Sequence, residues 1–433
     1  MAIFAPKTTK MMPVPAPHNQ ILSLCTRNDG CTVPQVAEAL DISVGTAIKY
    51  ITTLVQEGYL ENCGKTDSAS GRRPQLYRLR GDAGCFLGLD LNDRYIRAGL
   101  MDFRGSMLHT FRDDEFTMEA YGSFDRMCDL LRKAIAETTE AGRLLKGVCI
   151  ALPGRIDSVT GDSYTWFHTP GQSLVNRLHE IAGVPLSLYN DSRAMTWGEF
   201  LLGAGAGCRS MLMINVNWGL GMGIVIDSLV YGGKSGFAGE FGHVYGFDNQ
   251  VICRCGKRGC NETEISGQAL QRILLARIRA GESSILSPRV LSSEKPLTLE
   301  EIMDAIRRED VLCIEAVEQI GLHLGQKTAG LINVFNPELV VVGGELAMTG
   351  DYLLGPMRMA VNRHAIHLVS QDTRIVRSAL GMDAGMTGAC LIARSRYIGE
   401  RFECCTQKKS GFFARTISFP IGWTTAACRS RRP

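Results

Sequence analysis

The sequence predicts an α/β protein in which two lobes of similar element order face each other across a cleft, behind a small helical head. Three observations carry this. From Cys85 the chain alternates apolar strands and amphipathic helices in the order βββαβαβα. Residues 210–396 open in the same way, and after an insertion come long helices, a buried strand and a last helix. Residues 18–80 carry helical spacing and then a hairpin. A length of 433 residues suggests about three units at roughly 150 residues each. With 45% hydrophobic and 21% charged residues the composition is globular, which excludes a collagen or a disordered polymer. The expected divisions are a disordered leader (1–17), a head (18–82), a first lobe (83–205), a second lobe (206–396) and an irregular basic tail (397–433).

In the head, Ile21, Leu22, Leu24 and Cys25 give the first helix an apolar face. Thr32 can cap a second helix that has Pro34 in its first turn and carries Val36, Ala37 and Leu40. Ser43 is the N-cap of a third, with Ala47, Ile48, Ile51, Leu54 and Val55 on its buried side and Gly58 as its stop. Tyr59 and Leu60 begin a strand, 63–73 forms a polar tip, and Leu76–Leu79 returns. Two short helices, a tight turn, a third helix and a hairpin describe a winged helix-turn-helix. The third helix would then offer Ser43, Thr46, Lys49 and Tyr50 to the major groove, and the wing Lys65, Arg72 and Arg73 to phosphates or a narrow minor groove. A three-helix protein-docking module would show the same periodicity, but the SGRRP tip argues for DNA. Residues 1–80 carry nine Lys/Arg against six Asp/Glu, and the whole chain is only +3, so DNA binding rests on a local patch.

In the first lobe, CFLGLDLNDRYIRAGLMDFRGSMLHTF reads as three strands. A helix near 123–138, the strand GVCIAL, a helix near 174–182, the strand PLSLY and a helix from Ser192 follow. In the second lobe, MLMINV, GMGIVID, LVYGG and LVVVG are strands and 384–394 the last helix. The tail lacks periodicity, and reads either as a disordered extension or as a misjoined terminus. No apolar h-region stands near the start and no stretch of about 18 apolar residues occurs, which gives the expectation of a cytoplasmic protein without a membrane span. In that reducing setting the 15 cysteines point to metal rather than disulfides.

The strongest constellation is His243-x9-Cys253-x-Cys255-x4-Cys260. Four soft or borderline ligands in a Gly-punctuated loop form a Cys3His set, standard for structural zinc, with no open position for a catalytic water. Asn190 and Asp191 end a strand and precede a helix, where Asp191 acts as general base, binds a polyol, or is simply the N-cap. Glu240 lies three residues before His243, and Glu262 two after Cys260. With the histidine's free nitrogen, these carboxylates and the amide make a polyol-binding set. Gly219, Gly221 and Gly223 allow either close approach to a phosphate or a tight hairpin.

The run GLGMGIVID…GGKSGFAGEFGHV…CRCGKRGCNETEISG resembles the ROK family of sugar kinases and sugar-responsive repressors, over roughly residues 83–396. The resemblance implies duplicated lobes of the hexokinase/actin-type ATPase fold and zinc on His243, Cys253, Cys255 and Cys260. It further implies sugar contacts from Asn190, Asp191, Glu240, His243 and Glu262, and a homo-oligomer, dimer or tetramer. In the kinases the residue matching Asp191 is the general base, and a DxGGTK-like turn cradles ATP phosphates. Here the turn reads Asp90-Leu91-Asn92-Asp93-Arg94-Tyr95, which keeps Asp90 and lacks the glycines and threonine. Losing such preorganised donors costs roughly 3–4 kcal/mol each in transition-state stabilisation. The stretch VPQVAEALDISVGTAIKYITTLVQEGYL resembles the DNA-binding modules of the ROK repressors. The expected function is a repressor of carbohydrate-utilisation genes with operator DNA and a sugar or sugar-phosphate effector as partners. The rival is a hexose kinase using ATP and Mg²⁺; a third reading is a signalling scaffold.

Overall fold

Local capping chemistry sets the head. The computed structural model describes residues 16–65, 74–157, 160–293 and 295–405. Helix α1 (Ala16–Arg27) is followed by the short strand β1 (Cys31–Thr32), α2 (Val33–Leu40), α3 (Val44–Gln56), β2 (Leu60–Lys65) and β3 (Gln75–Leu79). Thr32 and Gln35 form a reciprocal capping box at α2, and the Ser43 hydroxyl accepts from the Thr46 N–H at α3. The strands pair in the order β1-β3-β2. Because α1 begins at Ala16, the expected leader is two residues too long; residues 1–15 lie outside the described part. On α3 the buried stripe is Ala47, Ile51 and Leu54, whereas Ile48 is 50% exposed. One residue is 100° of helical turn, which carries position 48 off a stripe spaced at i, i+4 and i+7. Cys25 and Cys31 form a disulfide with Cα atoms 5.1 Å apart, against the expectation of reduced or metal-bound cysteines. The reversal at Asp29 and Gly30, both at positive φ, brings them together.

The first lobe holds β4 (Cys85–Leu91), β5 (Ile96–Asp102), β6 (Met107–Asp113), α4 (Ser123–Glu140), β7 (Leu145–Leu152), α5 (Leu174–Ala182), β8 (Leu186–Asn190) and α6 (Asp191–Leu202). The second begins with β9 (Met211–Val216), β10 (Leu220–Ile226) and β11 (Leu229–Gly233). It continues through α7 (Gly267–Arg279), α8 (Ser287–Ser292), α9 (Leu299–Arg307), α10 (Val311–Phe335), β12 (Leu339–Gly343), α11 (Asp351–His364), α12 (His367–Ser370) and β13 (Arg374–Arg377). Last come α13 (Ala384–Tyr397) and β14 (Glu403–Cys405). The sheets run β6-β5-β4-β7-β8 and β13-β12-β9-β10-β11-β14. In both, the third, second, first, fourth and fifth strands lie side by side, the first three antiparallel and the last two parallel to the first. The expected duplication is therefore present in the topology.

Two expected boundaries move. Helix α13, assigned to the second lobe, packs on the sheet of the first: a Cβ on Gly88 of β4 would lie 2.4 Å from the Cys390 nitrogen, and the Cys390 thiol donates to the Gly99 carbonyl at 3.0 Å. It also crosses α6 backbone to backbone, where a Cβ on Gly388 would sit 1.8 Å from the Ala194 carbonyl and one on Gly198 2.6 Å from that of Ala384. The tail is ordered through Cys405. Phe402 is buried against Tyr189 and Trp197, and β14 extends the second sheet parallel to β11. The sequence shows no periodicity there because a three-residue edge strand is too short to display one. Residues 406–433 lie outside the described part.

The head and lobes share one apolar core, from Ile21, Leu22 and Leu54 through Phe86 and Phe103 to Trp197 and Phe402. The Tyr59 and Phe103 rings meet across the seam at a tilt, their centres 5.6 Å apart.

Candidate functional site

The cleft between the lobes, about 1070 Å³ with its open mouth, is lined by Asn190, Asp191, Glu240, His243 and Glu262 together. The end of β8 and the start of α6 build one wall. Asn190, not Asp191, is the N-cap: its Oδ1 accepts from the Arg193 N–H at 3.1 Å. Its Nδ2 donates to the Gly154 carbonyl (3.0 Å) and to Asp191 Oδ1 (2.9 Å). Asp191 is thereby oriented in the first turn of the helix, where the Ser192 N–H and hydroxyl favour the carboxylate. Burial outweighs them and lifts its pKa to about 6.

The opposite wall is the cysteine loop. His243, Cys253, Cys255 and Cys260 place their ligand atoms within 4.8 Å of one another. Cys253 Sγ is 3.5 Å from His243 Nδ1, and Cys255 Sγ 3.6 Å from Cys260 Sγ. A tetrahedron with Zn–S bonds of about 2.3 Å has edges of about 3.8 Å, so donor set and spacing are compatible with structural zinc. With Nδ1 turned to the cysteines, His243 Nε2 points toward Glu240 Oε2 at 3.9 Å. Glu262 accepts from the Leu220 N–H (3.1 Å) and faces the Cys253 thiol (3.5 Å), which ties the loop to β10.

Gly219 and Gly221 both line the cleft, and Gly221 and Gly223 stand where a side chain would not fit. A Cβ on Gly221 would lie 2.0 Å from Ser192 Oγ and one on Gly223 1.8 Å from Thr196 Oγ1, so these two let β10 press against α6. Gly219 lines the cleft beside Glu262. Asp90 is buried with its carboxyl against Gly385; burial, with Asp191 nearby, pushes its pKa to about 8. At pH 7 it is thus largely protonated.

The turn after Asp90 is filled by side chains that reach the other lobe. Asp93 pairs with Arg254 of the cysteine loop at 3.2 Å, and the Arg94 guanidinium lies 5.4 Å from the centre of the Trp218 ring. Sequence reasoning missed Arg254 and the cleft-lining Ser192 and Asn215. Nothing in the local sequence marks Arg254, which stands between two cysteines and finds its partner 161 residues away.

On the head, Ser43 and Lys49 of α3 are exposed, Thr46 and Tyr50 half-buried, and Lys65 ends β2 exposed. Ser43 is also occupied by its cap, and Tyr50 packs edge-on against His18 at 5.5 Å. Arg72 and Arg73 lie outside the described residues. The exposed face of α3 also presents Val44 and Ile48.

Residues 86–396 match the ROK family, and residues 18–61 match a winged helix-turn-helix DNA-binding family. The chain belongs to the ROK family. The ROK match covers both lobes and stops just before the strand β14. Among relatives, a xylose repressor of Caldicellulosiruptor bescii is 27% identical over 80% of this chain and 88% of its own length. A glucokinase of Thermotoga maritima is 30% identical over 72% of this chain and 98% of its own. The solved structure of a ROK family transcriptional regulator, a homologue of the E. coli MLC protein, superposes with a TM-score of 0.73 at 26% identity, covering 88% of this chain and 96% of that one. The kinase match covers less of this chain than either regulator match does.

Proposed function

We propose that this ROK protein is a sugar-responsive, DNA-binding transcriptional repressor of carbohydrate-utilisation genes. One observation carries the reading: a winged head shares a continuous core with lobes whose cleft brings Asn190, Asp191, Glu240, His243 and Glu262 together and whose turn after Asp90 is taken up by lobe-to-lobe contacts. Asn190, Asp191, Glu240, His243 and Glu262 hold the sugar. His243, Cys253, Cys255 and Cys260 hold a structural zinc ion, whose chemistry is to fix the loop. Ser43, Thr46, Lys49 and Tyr50 face the major groove, and Lys65, Arg72 and Arg73 the backbone. Val44 and Ile48 add apolar surface suited to thymine methyl groups. Two heads in a cytoplasmic homo-oligomer read paired half-sites. Among the described residues no helix is long and apolar enough to cross a membrane.

The test is fluorescence anisotropy on a duplex selected by the protein from a random library, with and without members of a sugar panel that includes D-xylose and D-glucose. A sugar that both raises the melting temperature and releases the duplex supports the reading; no sugar response, or no selected duplex, rejects it. The kinase reading is favoured by the Thermotoga relative and by the intact Asp191 corner. A coupled ATP–Mg²⁺ assay separates the two, since turnover near 10 per second is typical of enzymes.

Asp191 accepts a sugar hydroxyl most strongly as a carboxylate. With its pKa near 6, sugar affinity is level above pH 7 and falls by up to about tenfold per pH unit below 6. Calorimetric titration from pH 5 to pH 8 measures this, and an affinity that rises in acid rejects Asp191 as the acceptor. For the wing, Arg72→Ala with Arg73→Ala weakens duplex binding across all sequences and lowers the salt slope by about 2. An unchanged slope removes the wing from the interface.

A further inference from the structure

We propose that the stretch 397–405 is a strap that couples the sugar cleft to the DNA-binding head, with Glu403 as a positioning residue for the Asn190–Asp191 corner. This rests on the sugar-binding reading above.

At its far end the strap holds the cleft wall. Glu403 pairs with Arg193 at 2.9 Å, and the two side chains are only 9% and 2% exposed. Arg193 sits in the first turn of α6, and its N–H is the one that Asn190 caps. The same guanidinium donates to the Ile156 carbonyl at 3.4 Å and lies over the Tyr189 ring at 4.8 Å. A buried charge with a single carboxylate partner is held strongly in place, because its alternative is an unpaired ion in an apolar surround. Glu403 therefore fixes the residue from which Asn190, and through it Asp191, takes its orientation.

At its near end the strap holds the head. The Tyr397 hydroxyl hydrogen-bonds that of Tyr59 at 3.0 Å. Glu400 accepts from Ser23 of α1 (3.4 Å) and from Ser395 of α13 (2.8 Å). Gly399 passes so close to α1 that a Cβ there would lie 2.7 Å from Asn19 Nδ2. Between the two ends Phe402 is buried between Tyr189 and Trp197, and the Phe402 carbonyl and β14 bind β11 of the second lobe. One short run of backbone thus touches the head, the cleft corner and the second-lobe sheet. Six residues of extended chain span at most about 20 Å, so the tether from Tyr397 to Glu403 is short. A sugar that changes the lobe angle shifts β14 with its sheet, and the strap carries that shift to α1 and Tyr59.

The experiment measures three quantities on the full chain: sugar affinity, affinity for the selected duplex without sugar, and the factor by which D-xylose or D-glucose changes the latter. Glu403→Gln is expected to weaken sugar binding about tenfold and to leave sugar-free duplex binding within twofold. The pair Ser23→Ala and Tyr59→Phe is expected to leave both affinities within twofold and to cut the coupling factor at least about threefold, within the range of networks that link distant sites. A merely structural role would lower the melting temperature and leave that factor alone. If Glu403→Gln unfolds, Glu403→Asp keeps the charge and is expected to retain the fold with weakened sugar binding. Wild-type sugar affinity in a folded Glu403 variant, or an unchanged coupling factor in the Ser23/Tyr59 pair, overturns the strap. A wild-type protein that binds neither sugar rejects the ligand reading itself, and the strap with it.

Discussion

Cys255→Ser is expected to strip the metal from the Cys3His cluster and to lower sugar affinity at least about a hundredfold. Structural zinc in small motifs contributes on the order of 10 kcal/mol of apparent binding free energy, and that energy is folding energy. Phe247 packs on the second-lobe core and Asn249 bonds Thr263 and Glu264, but Tyr245 and Ile252 are exposed, and the stretch between the cysteines is held by short turns such as the Cys253 N–H to the Lys257 carbonyl at 2.8 Å. Two of the five proposed polyol groups depend on it directly: His243 belongs to the Cys3His cluster, and Glu262 lies against the Cys253 thiol. Arg254 would leave Asp93 as well. The head stands apart from this loop, so duplex binding without sugar should persist within a few-fold. Metal content by mass spectrometry and sugar affinity by calorimetry read the outcome. One retained equivalent of zinc together with wild-type affinity would show that these four residues are not the ligands.

Asp191→Ala is expected to abolish the response to sugar while sparing duplex binding. A hydrogen bond to a charged group contributes about 1.5–3 kcal/mol, and leaving a bound hydroxyl unpaired adds to the loss. Affinity should therefore fall by roughly two orders of magnitude. Asp191→Asn keeps the shape and gives a smaller drop. The same variant has an opposite effect on stability. The native pKa near 6 lies above that of an unfolded aspartate, so the native state binds more protons between the two values. The carboxyl's contribution is intact below about pH 4 and is lost as pH rises through 6. Asp191→Asn should raise the melting temperature at pH 8, by an amount equivalent to about 1–2 kcal/mol once partial exposure is allowed for, and change it little at pH 4. A variant no more stable at pH 8 than the parent would mean that the burial strain on this carboxylate is absent.

Local grammar was legible in advance and long-range packing was not. Thr32, Ser43 and the glycine after α3 announce the head because capping acts over three or four residues. The repeated strand order announced two lobes, and the cysteine spacing picked out four donors that the structure brings within 4.8 Å of one another. The contact between Asp93 and Arg254 spans the chain from first lobe to second, and nothing near either residue signals the other. Gly221 and Gly223 looked equally like phosphate or hairpin glycines, since a missing side chain does not say what presses against it. In the structure the answer is Ser192 and Thr196. Helix α13 was assigned by sequence order to the second lobe, whereas its small residues fit the sheet of the first. Cys25 and Cys31 were read by compartment, and it was the turn between them that set their distance.

The crossing of α6 and α13 at Gly198 and Gly388 has no side chains in it. Sliding one helix along the other would drive carbonyls into peptide groups at once, because no flexible layer exists to yield. Tilting about the point of contact meets no such obstacle. With α6 against β10 of the second sheet and α13 against β4 of the first, this crossing would pin the lobes like scissor blades, resisting shear more than a change of angle. Under that geometry a sub-ångström adjustment at the rivet grows in proportion to distance, and parts of the molecule far from it travel furthest.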